Sequence, residues 1–188
     1  IIGDDDKELP DGRVGRLALE TPSRMDGYKE DASETEAALF GDWILTGDLG
    51  YTRDGELFWT GRDRERINLH GKKYDPSDFE SVLLTIDGLR KGCFVAFGVD
   101  DKVQGTQTLV IIAEVENSVT TDQHKTLGNL VCRTIQVEVG VTIAELAFVA
   151  KGALTKTSSG KRRHRHFREM FVNGELELLY QTGVGRIG

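Results

Sequence analysis

Asp48 and Arg62 are the residues whose types and spacing first suggest binding chemistry in this sequence. Between them, Asp54 and Gly55 separate two aromatic-rich runs. An Asp-Gly pair in that position predicts a two-residue hairpin, because a type I′ turn needs positive φ at both residues. The hairpin would bring Asp48 and Arg62 onto neighbouring strands near one edge. A carboxylate beside a guanidinium suits a ligand with a diol and a phosphate. Taken singly, Asp48 is also explained as a turn cap and Arg62 as a surface ion pair.

Lys161 ends a small-residue loop, residues 155–161 (TKTSSGK). Consecutive backbone N–H groups in such a loop can form an anion nest, and the lysine adds a mobile point charge. The loop is not a Walker A loop, because the GxxxxGK(S/T) pattern is absent and position 162 is Arg. The other interpretation is a solvent-exposed loop before a helix.

Composition limits the classes of protein to which this chain can belong. The 188 residues are 29% charged, and the formal net charge of −7 argues against nucleic acid as the main partner. The basic run at residues 161–168 (KRRHRHFR) departs from that trend. Cys93 and Cys132 are too few for a disulfide framework and match no metal spacing, so we predict no metal site and a reducing cytoplasm. No apolar run approaches the roughly 18 residues of a membrane span.

The elements that must position these residues follow from periodicity and capping. Ser33 and Glu36 predict a capped helix after a first strand, and Asp75 followed by Pro76 predicts a helix that opens a second unit. Thr120 begins another predicted capping box. Further predicted elements are strands at 15–20, 67–69, 93–99, 109–115 and 143–150, a basic helix at 160–172, and a weakly structured tail after residue 173. The order predicts an α+β fold, a small mixed sheet with packed helices preceded by a β-rich portion.

The segment at residues 62–66 (RDRER) has no apolar side chain to bury. We therefore expect nothing to anchor it to either neighbouring core. Such a segment can absorb a large change in φ and ψ at low cost, which is what a hinge does.

Several short motifs occur here in a characteristic order: TGD at 46–48, GR at 61–62, LHG at 69–71, KKYDPSDFE at 72–80 and TKTSSGK at 155–161. Together they resemble the adenylate-forming superfamily, which includes acyl-CoA synthetases, fatty-acyl-AMP ligases, peptide-synthetase adenylation domains and luciferases. The resemblance extends to about residue 171. It is closest to the fatty-acyl-AMP ligases and acyl-CoA synthetases, partly through LRKGCFVAFGV at 89–99.

The resemblance implies a role for each motif residue. Asp48 corresponds to the acid that holds both ribose hydroxyls of ATP, and Arg62 to an arginine that contacts the nucleotide. Arg64 falls on the hinge position about which the C-terminal domain swings. Gly71 corresponds to the glycine that lets backbone approach the thioester-forming site, the thiol tunnel. Lys161 corresponds to the catalytic lysine that reaches the α-phosphate and the substrate carboxylate.

The resemblance also predicts a domain layout. Residues 1–63 would be the C-terminal end of the large adenylation domain, residues 64–172 the mobile C-terminal domain, and residues 173–188 a tail. The family's upstream phosphate loop is absent and the chain begins at Ile1 rather than Met. We therefore expect a fragment that performs no ATP chemistry alone. Two departures stand out: Thr155 replaces a usual Pro, and Arg162 and Arg163 replace an aliphatic-polar pair.

Two functions from different classes remain. In the first, the whole enzyme makes acyl-AMP from ATP and a carboxylic acid, most simply a fatty acid, and passes the acyl group to the pantetheine thiol of CoA or a carrier protein. Mg²⁺ would then be bound mainly by the missing N-terminal domain. In the second, the chain is a non-catalytic docking or regulatory module that binds an acidic partner through the basic terminal helix.

Overall fold

The structure is a computed structural model that describes residues 1–27, 32–158 and 160–183. The chain divides into two compact units, Ile1–Arg64 and Glu65–Gly188. Each unit has its own sheet.

The first unit is built around one long strand, β3, that pairs antiparallel with three others. Its elements are β1 (Gly15–Leu19), α1 (Ala32–Ala38), β2 (Leu39–Phe40), β3 (Trp43–Arg53) and β4 (Glu56–Arg62). The predicted hairpin is confirmed: Asp54 and Gly55 join β3 to β4 with φ of 53° and 81°. Helix α1 begins one residue before the predicted cap Ser33, whose side chain lies outside the described part of the structure.

The second unit carries a mixed four-stranded sheet in the order β10-β9-β8-β7. Strands β8 and β9 run parallel and the other neighbours antiparallel. The unit's elements are β5 (Ile67–Leu69), β6 (Lys72–Tyr74), α2 (Pro76–Leu83), β7 (Leu89–Asp101), β8 (Thr106–Val115), α3 (His124–Glu138), β9 (Ile143–Val149), α4 (His164–Val172) and β10 (Leu178–Thr182). The α+β fold class is confirmed.

The sheet of the second unit is covered on both faces, which explains the nearly all-apolar sequence of β8. On one face, Phe94 and Phe148 pack with α2 and α3. On the other face, Val95 and Ile112 pack against Phe167 of α4. Alternate residues of each strand therefore enter different cores, as the period of two in a strand requires.

Two expectations for the C-terminal region were wrong. The stretch after residue 173 is not a weakly structured tail throughout, because β10 pairs antiparallel with β9. Tyr180 holds it there by stacking on Phe148, with ring centroids 5.4 Å apart. Helix α4 begins at His164, not at residue 160, so Lys161 precedes the helix.

None of the helices in the described ranges combines the length and apolar character needed to span a bilayer.

Candidate active site

Asp48 and Arg62 lie opposite each other on β3 and β4, as the hairpin predicted. The Nε atom of Arg62 is 3.0 Å from Oδ1 of Asp48. The Asp48 backbone N–H also donates to Oγ1 of Thr46, which fixes the strand locally. The Asp48 side chain is about one-quarter exposed and that of Arg62 about half exposed, so a ligand can reach both. A carboxylate has about four lone-pair sites, and the ion pair leaves enough of them to accept two hydroxyl protons.

Three backbone N–H groups of the loop that ends at Lys161 donate hydrogen bonds within the loop. The Thr157 N–H donates to the Lys161 carbonyl oxygen at 3.0 Å, and the Gly160 N–H donates to the Thr157 carbonyl oxygen at 2.9 Å. The Lys161 N–H donates to Oγ1 of Thr157 at 3.0 Å. These three N–H groups are therefore not presented to a ligand, and the expectation of an anion nest was wrong for them. Lys161 is exposed, so its ammonium is one group that the loop presents.

A buried carboxylate on the central strand holds the start of this loop. Glu114 of β8 is fully buried and accepts hydrogen bonds from the Leu154 N–H at 2.7 Å and from Nη1 of Arg90 at 2.6 Å. Burial by itself would raise the pKa of Glu114, but backbone N–H groups and the Arg90 guanidinium hold it below its ordinary value. The sheet therefore fixes the chain seven residues before Lys161 with a charged anchor.

A second buried carboxylate holds the chain just after Lys161. Glu80 of α2 is 4% exposed. Its Oε2 lies 3.1 Å from Nη1 of Arg162, and its Oε1 lies 2.7 Å from Nε2 of His164. The Ala96 N–H of β7 also donates to Oε1 at 3.2 Å. One side chain thus joins α2, β7 and the segment that follows the lysine.

Several side chains of the basic run at 161–168 pair with other residues of the protein. Besides the two residues held by Glu80, Arg163 donates to Oγ1 of Thr155 and Arg165 pairs with Glu169. Arg168 donates to the Gly98 carbonyl oxygen and lies 3.3 Å from Asp100. The contacts of Arg162 and His164 with buried Glu80 withdraw those two side chains from an acidic partner, whereas the Arg165 side chain remains 81% exposed.

The segment at the unit boundary is tied on both sides of Arg64. Arg62 pairs with Asp48 in the first unit, and Oε2 of Glu65 lies 3.4 Å from Nδ1 of His164 in the second. The expectation that nothing anchors this segment was therefore wrong. Polar contacts replace the missing apolar ones. Arg64 itself lies in a 3₁₀ turn, Asp63–Glu65, between β4 and β5, where such turns commonly serve as connectors.

Gly71 is at the tip of a second hairpin that the sequence did not reveal. His70 and Gly71 have φ of 50° and 81° and join β5 to β6. The His70 N–H donates to Oγ1 of Thr106, so the start of β8 holds the hairpin in place. A Cβ at Gly71 would meet no heavy atom within 4 Å. The backbone there is open to an approaching group. No hydrogen bond or ion pair among the described residues joins Gly71 to Lys161.

Sequence reasoning missed Glu80, Glu114 and His164. A signal for Glu80 was present: the buried positions of α2 are Pro76, Phe79, Glu80 and Leu83, so a carboxylate occupies the apolar stripe. The same holds for Glu114, which interrupts an apolar strand. Among the described residues, no group of three or more His, Cys, Asp or Glu side chains could hold a metal ion.

Comparison with known proteins finds relatives whose names agree on one kind of enzyme, although a search of family models does not. No family model matches the chain. A medium-chain-fatty-acid–acyl-carrier-protein ligase of Moorena producens is 31% identical over 88% of this chain. A long-chain-fatty-acid–AMP ligase of Mycobacterium tuberculosis is 30% identical over 92% of it. The chain spans only 29% and 32% of the length of these two relatives.

A solved structure shows the same architecture. The structure of McyG A-PCP complexed with phenylalanyl-adenylate superposes with a TM-score of 0.80 and 26% identity. It covers 93% of this chain, and the chain covers 27% of it. The similarity therefore extends over both units of this chain and over a minor part of each relative.

Proposed function

Because the chain belongs to the adenylate-forming superfamily, we propose that it is the C-terminal portion of an AMP-forming acid–thiol ligase. The whole protein would join a carboxylic acid to ATP and then pass the acyl group to a pantetheine thiol. Both named relatives act on fatty acids, which favours a fatty acid as the substrate. The observation that carries the proposal is the Asp48–Arg62 pair in the first unit together with the Lys161 loop in the second.

The proposed chemistry has two steps. In the first, a carboxylate oxygen attacks the α-phosphorus of ATP, the bond to the β-phosphate oxygen breaks, and pyrophosphate leaves. In the second, the thiol sulfur attacks the acyl carbon, AMP leaves, and the thiol proton passes to solvent. Mg²⁺ would neutralise polyphosphate charge and would be held mainly by residues outside this chain.

Asp48 and Arg62 would bind the nucleotide in both steps. The Asp48 carboxylate accepts hydrogen bonds from the two ribose hydroxyls, while Arg62 keeps the carboxylate oriented and contacts the nucleotide. AMP remains bound as acyl-AMP after the first step. The loss of Asp48 should therefore affect both half-reactions.

Lys161 would act in the first step alone. Two anions, the substrate carboxylate and the α-phosphate, must approach each other, and an ammonium between them offsets their repulsion and the charge that develops. Lys161 suits this role because the described residues offer its ammonium no carboxylate partner, while both sides of its loop are held by Glu114 and Glu80.

The second step would use Gly71. Its exposed turn leaves backbone free to approach a pantetheine arm, and its anchorage to β8 keeps that backbone in place. Lys161 and Gly71 belong to different elements of the second unit, so we propose that rotation about Arg64 presents them in turn. The acceptor would be CoA or a carrier protein; the first named relative is an acyl-carrier-protein ligase.

Separate half-reaction assays test the proposal in the full-length protein. Lys161→Ala should slow acyl-AMP formation, measured by pyrophosphate release, by about 10²–10³-fold. It should leave thioester formation from supplied acyl-AMP nearly unchanged. Lys156→Ala in the same loop is the matched control and should affect neither step. Equal loss in both half-reactions for Lys161→Ala would exclude this role.

A further inference from the structure

Glu80 is a buried charge that the proposed chemistry does not use. Its side chain is about 5% exposed. A carboxylate taken out of water costs free energy unless charged groups and hydrogen bonds replace its hydration. The Ala96 N–H, Arg162 and His164 supply that replacement. A buried ion pair often adds little net stability, so stability alone does not explain why Glu80 is buried here. The segment that Glu80 holds in place offers the better explanation.

The partners of Glu80 lie directly beside Lys161. Arg162 is the next residue along the chain, and His164 begins α4. The Arg162 guanidinium also lies over the Phe94 ring, 5.2 Å from its centroid, so it contacts both a carboxylate and an aromatic face. The Arg162 side chain is therefore held at two points. The chain just after Lys161 can take few other directions.

Lys161 has no comparable contact of its own. Its backbone is closed on Thr157, but its side chain is exposed and makes no ion pair with any described residue. The direction in which the ammonium points therefore depends on the backbone around it. Glu80 sets that backbone on one side and Glu114 on the other.

We propose that Glu80 is the positioning residue for Lys161: through Arg162 and His164 it holds the lysine-bearing segment in the orientation that acyl-AMP formation requires. This inference rests on the function proposed above. A displacement of about 1 Å at a reacting group can cost about 10²-fold in rate. A loose segment would therefore slow the first step while leaving the second step unaffected.

The cluster also reaches the unit boundary. His164 contacts Glu80 through Nε2 and lies 3.4 Å from Glu65 through Nδ1. Glu65 ends the 3₁₀ turn that contains Arg64. His164, which contacts Glu80, therefore also lies beside the segment that contains Arg64.

Glu80→Gln in the full-length protein tests the proposal. The amide keeps the size of the side chain and can still accept from the Ala96 N–H, but it loses the charge that holds Arg162. Asp100→Asn is the matched control. Asp100 pairs with Arg168, which lies on α4 like His164 but further along the chain from Lys161. Should Glu80→Gln fail to fold, Arg162→Gln is the second variant. It removes the contact between Glu80 and Arg162 by changing Arg162, the partly exposed partner.

Two readouts are measured on each variant: hydrogen–deuterium exchange of the peptide covering residues 155–163, and the two half-reactions. We expect faster exchange in that peptide and about a tenfold or greater fall in kcat for acyl-AMP formation, with little change in the KM for ATP or in thioester formation. Asp100→Asn should change neither readout. Unchanged exchange in the peptide, or equal loss in both half-reactions, would overturn the proposal.

The exchange measurement separates this inference from the proposed function. If Lys161→Ala leaves acyl-AMP formation intact while Glu80→Gln loosens the 155–163 peptide, the catalytic role of Lys161 fails. The conclusion that Glu80 holds the segment around Lys161 in place would still stand. If Lys161→Ala is inactive in the first step but Glu80→Gln is not, the positioning role fails and the function stands.

Discussion

Asp48 and Arg62 form a cross-strand ion pair, with Nε 3.0 Å from Oδ1, between the middle of β3 and the last residue of β4. The Asp54-Gly55 turn, whose two residues have positive φ, starts the antiparallel register, and a register shift between Leu49 and Gly50 then sets Asp48 opposite Arg62 rather than opposite Gly61. The pair fixes the orientation of the Asp48 carboxylate and at the same time ties the end of β4 to the sheet of the first unit.

Asp48→Ala in the full-length protein should raise the KM for ATP and slow both half-reactions. Each charge-assisted hydrogen bond to a hydroxyl is worth about 1.5–3 kcal/mol, so the loss should reach at least about tenfold. Asp42→Ala removes an exposed carboxylate from the turn between β2 and β3 and should leave the KM unchanged. An unaltered dependence on ATP in Asp48→Ala would mean that Asp48 serves the hairpin alone.

Arg64→Pro should separate the two half-reactions. Proline fixes φ at position 64 and disfavours the helical region at Asp63, where the structure has a 3₁₀ turn. One orientation of the second unit should then be trapped, and one half-reaction should become much slower than the other. Arg64→Ala, which keeps the backbone unrestricted, is the control. Proportional loss in both steps would show that the pivot lies elsewhere.

Gly128→Ala should destabilise the protein, although alanine normally stabilises a helix interior by about 1 kcal/mol relative to glycine. A Cβ at Gly128 would lie 2.8 Å from Cε1 of Tyr180, the ring that holds β10 on the sheet. Overpacking of this kind costs about 1–3 kcal/mol. Urea denaturation measures the change. In a Tyr180→Ala background the same substitution should be neutral or stabilising, and a loss there as well would contradict the steric explanation.

Glu114→Gln should lower stability at neutral pH by about 1–3 kcal/mol, since it leaves the Arg90 guanidinium and the Leu154 N–H with a poorer acceptor. The folded pKa of Glu114 lies below its ordinary value of 4.5. The stabilisation is therefore complete above that value and is lost as the pH falls through the folded pKa. Urea midpoints of the parent and Glu114→Gln should converge in acid. A constant difference down to low pH would contradict the linkage.

Much of the fold was predictable because its signals are local. The Asp-Gly turn, the Asp75 and Pro76 helix start and the apolar run of β8 each depend on a few neighbouring residues. The motif order that resembles the adenylate-forming superfamily is also a property of the sequence, and the relatives confirm it. The roles of Asp48, Arg62, Arg64, Gly71 and Lys161 remain predictions.

The sequence by itself determined the hairpin, the α+β class and the family, because turn conformation, periodicity and motif spacing are encoded within short stretches of chain. The tertiary structure decided which polar groups are buried and what they hold. Glu80 reaches His164 across 84 positions and Glu114 reaches Leu154 across 40. Strand β10 likewise forms only because β9 offers a free edge and Phe148 receives Tyr180. Such contacts depend on desolvation and packing between distant segments, and those arise only once the chain has folded.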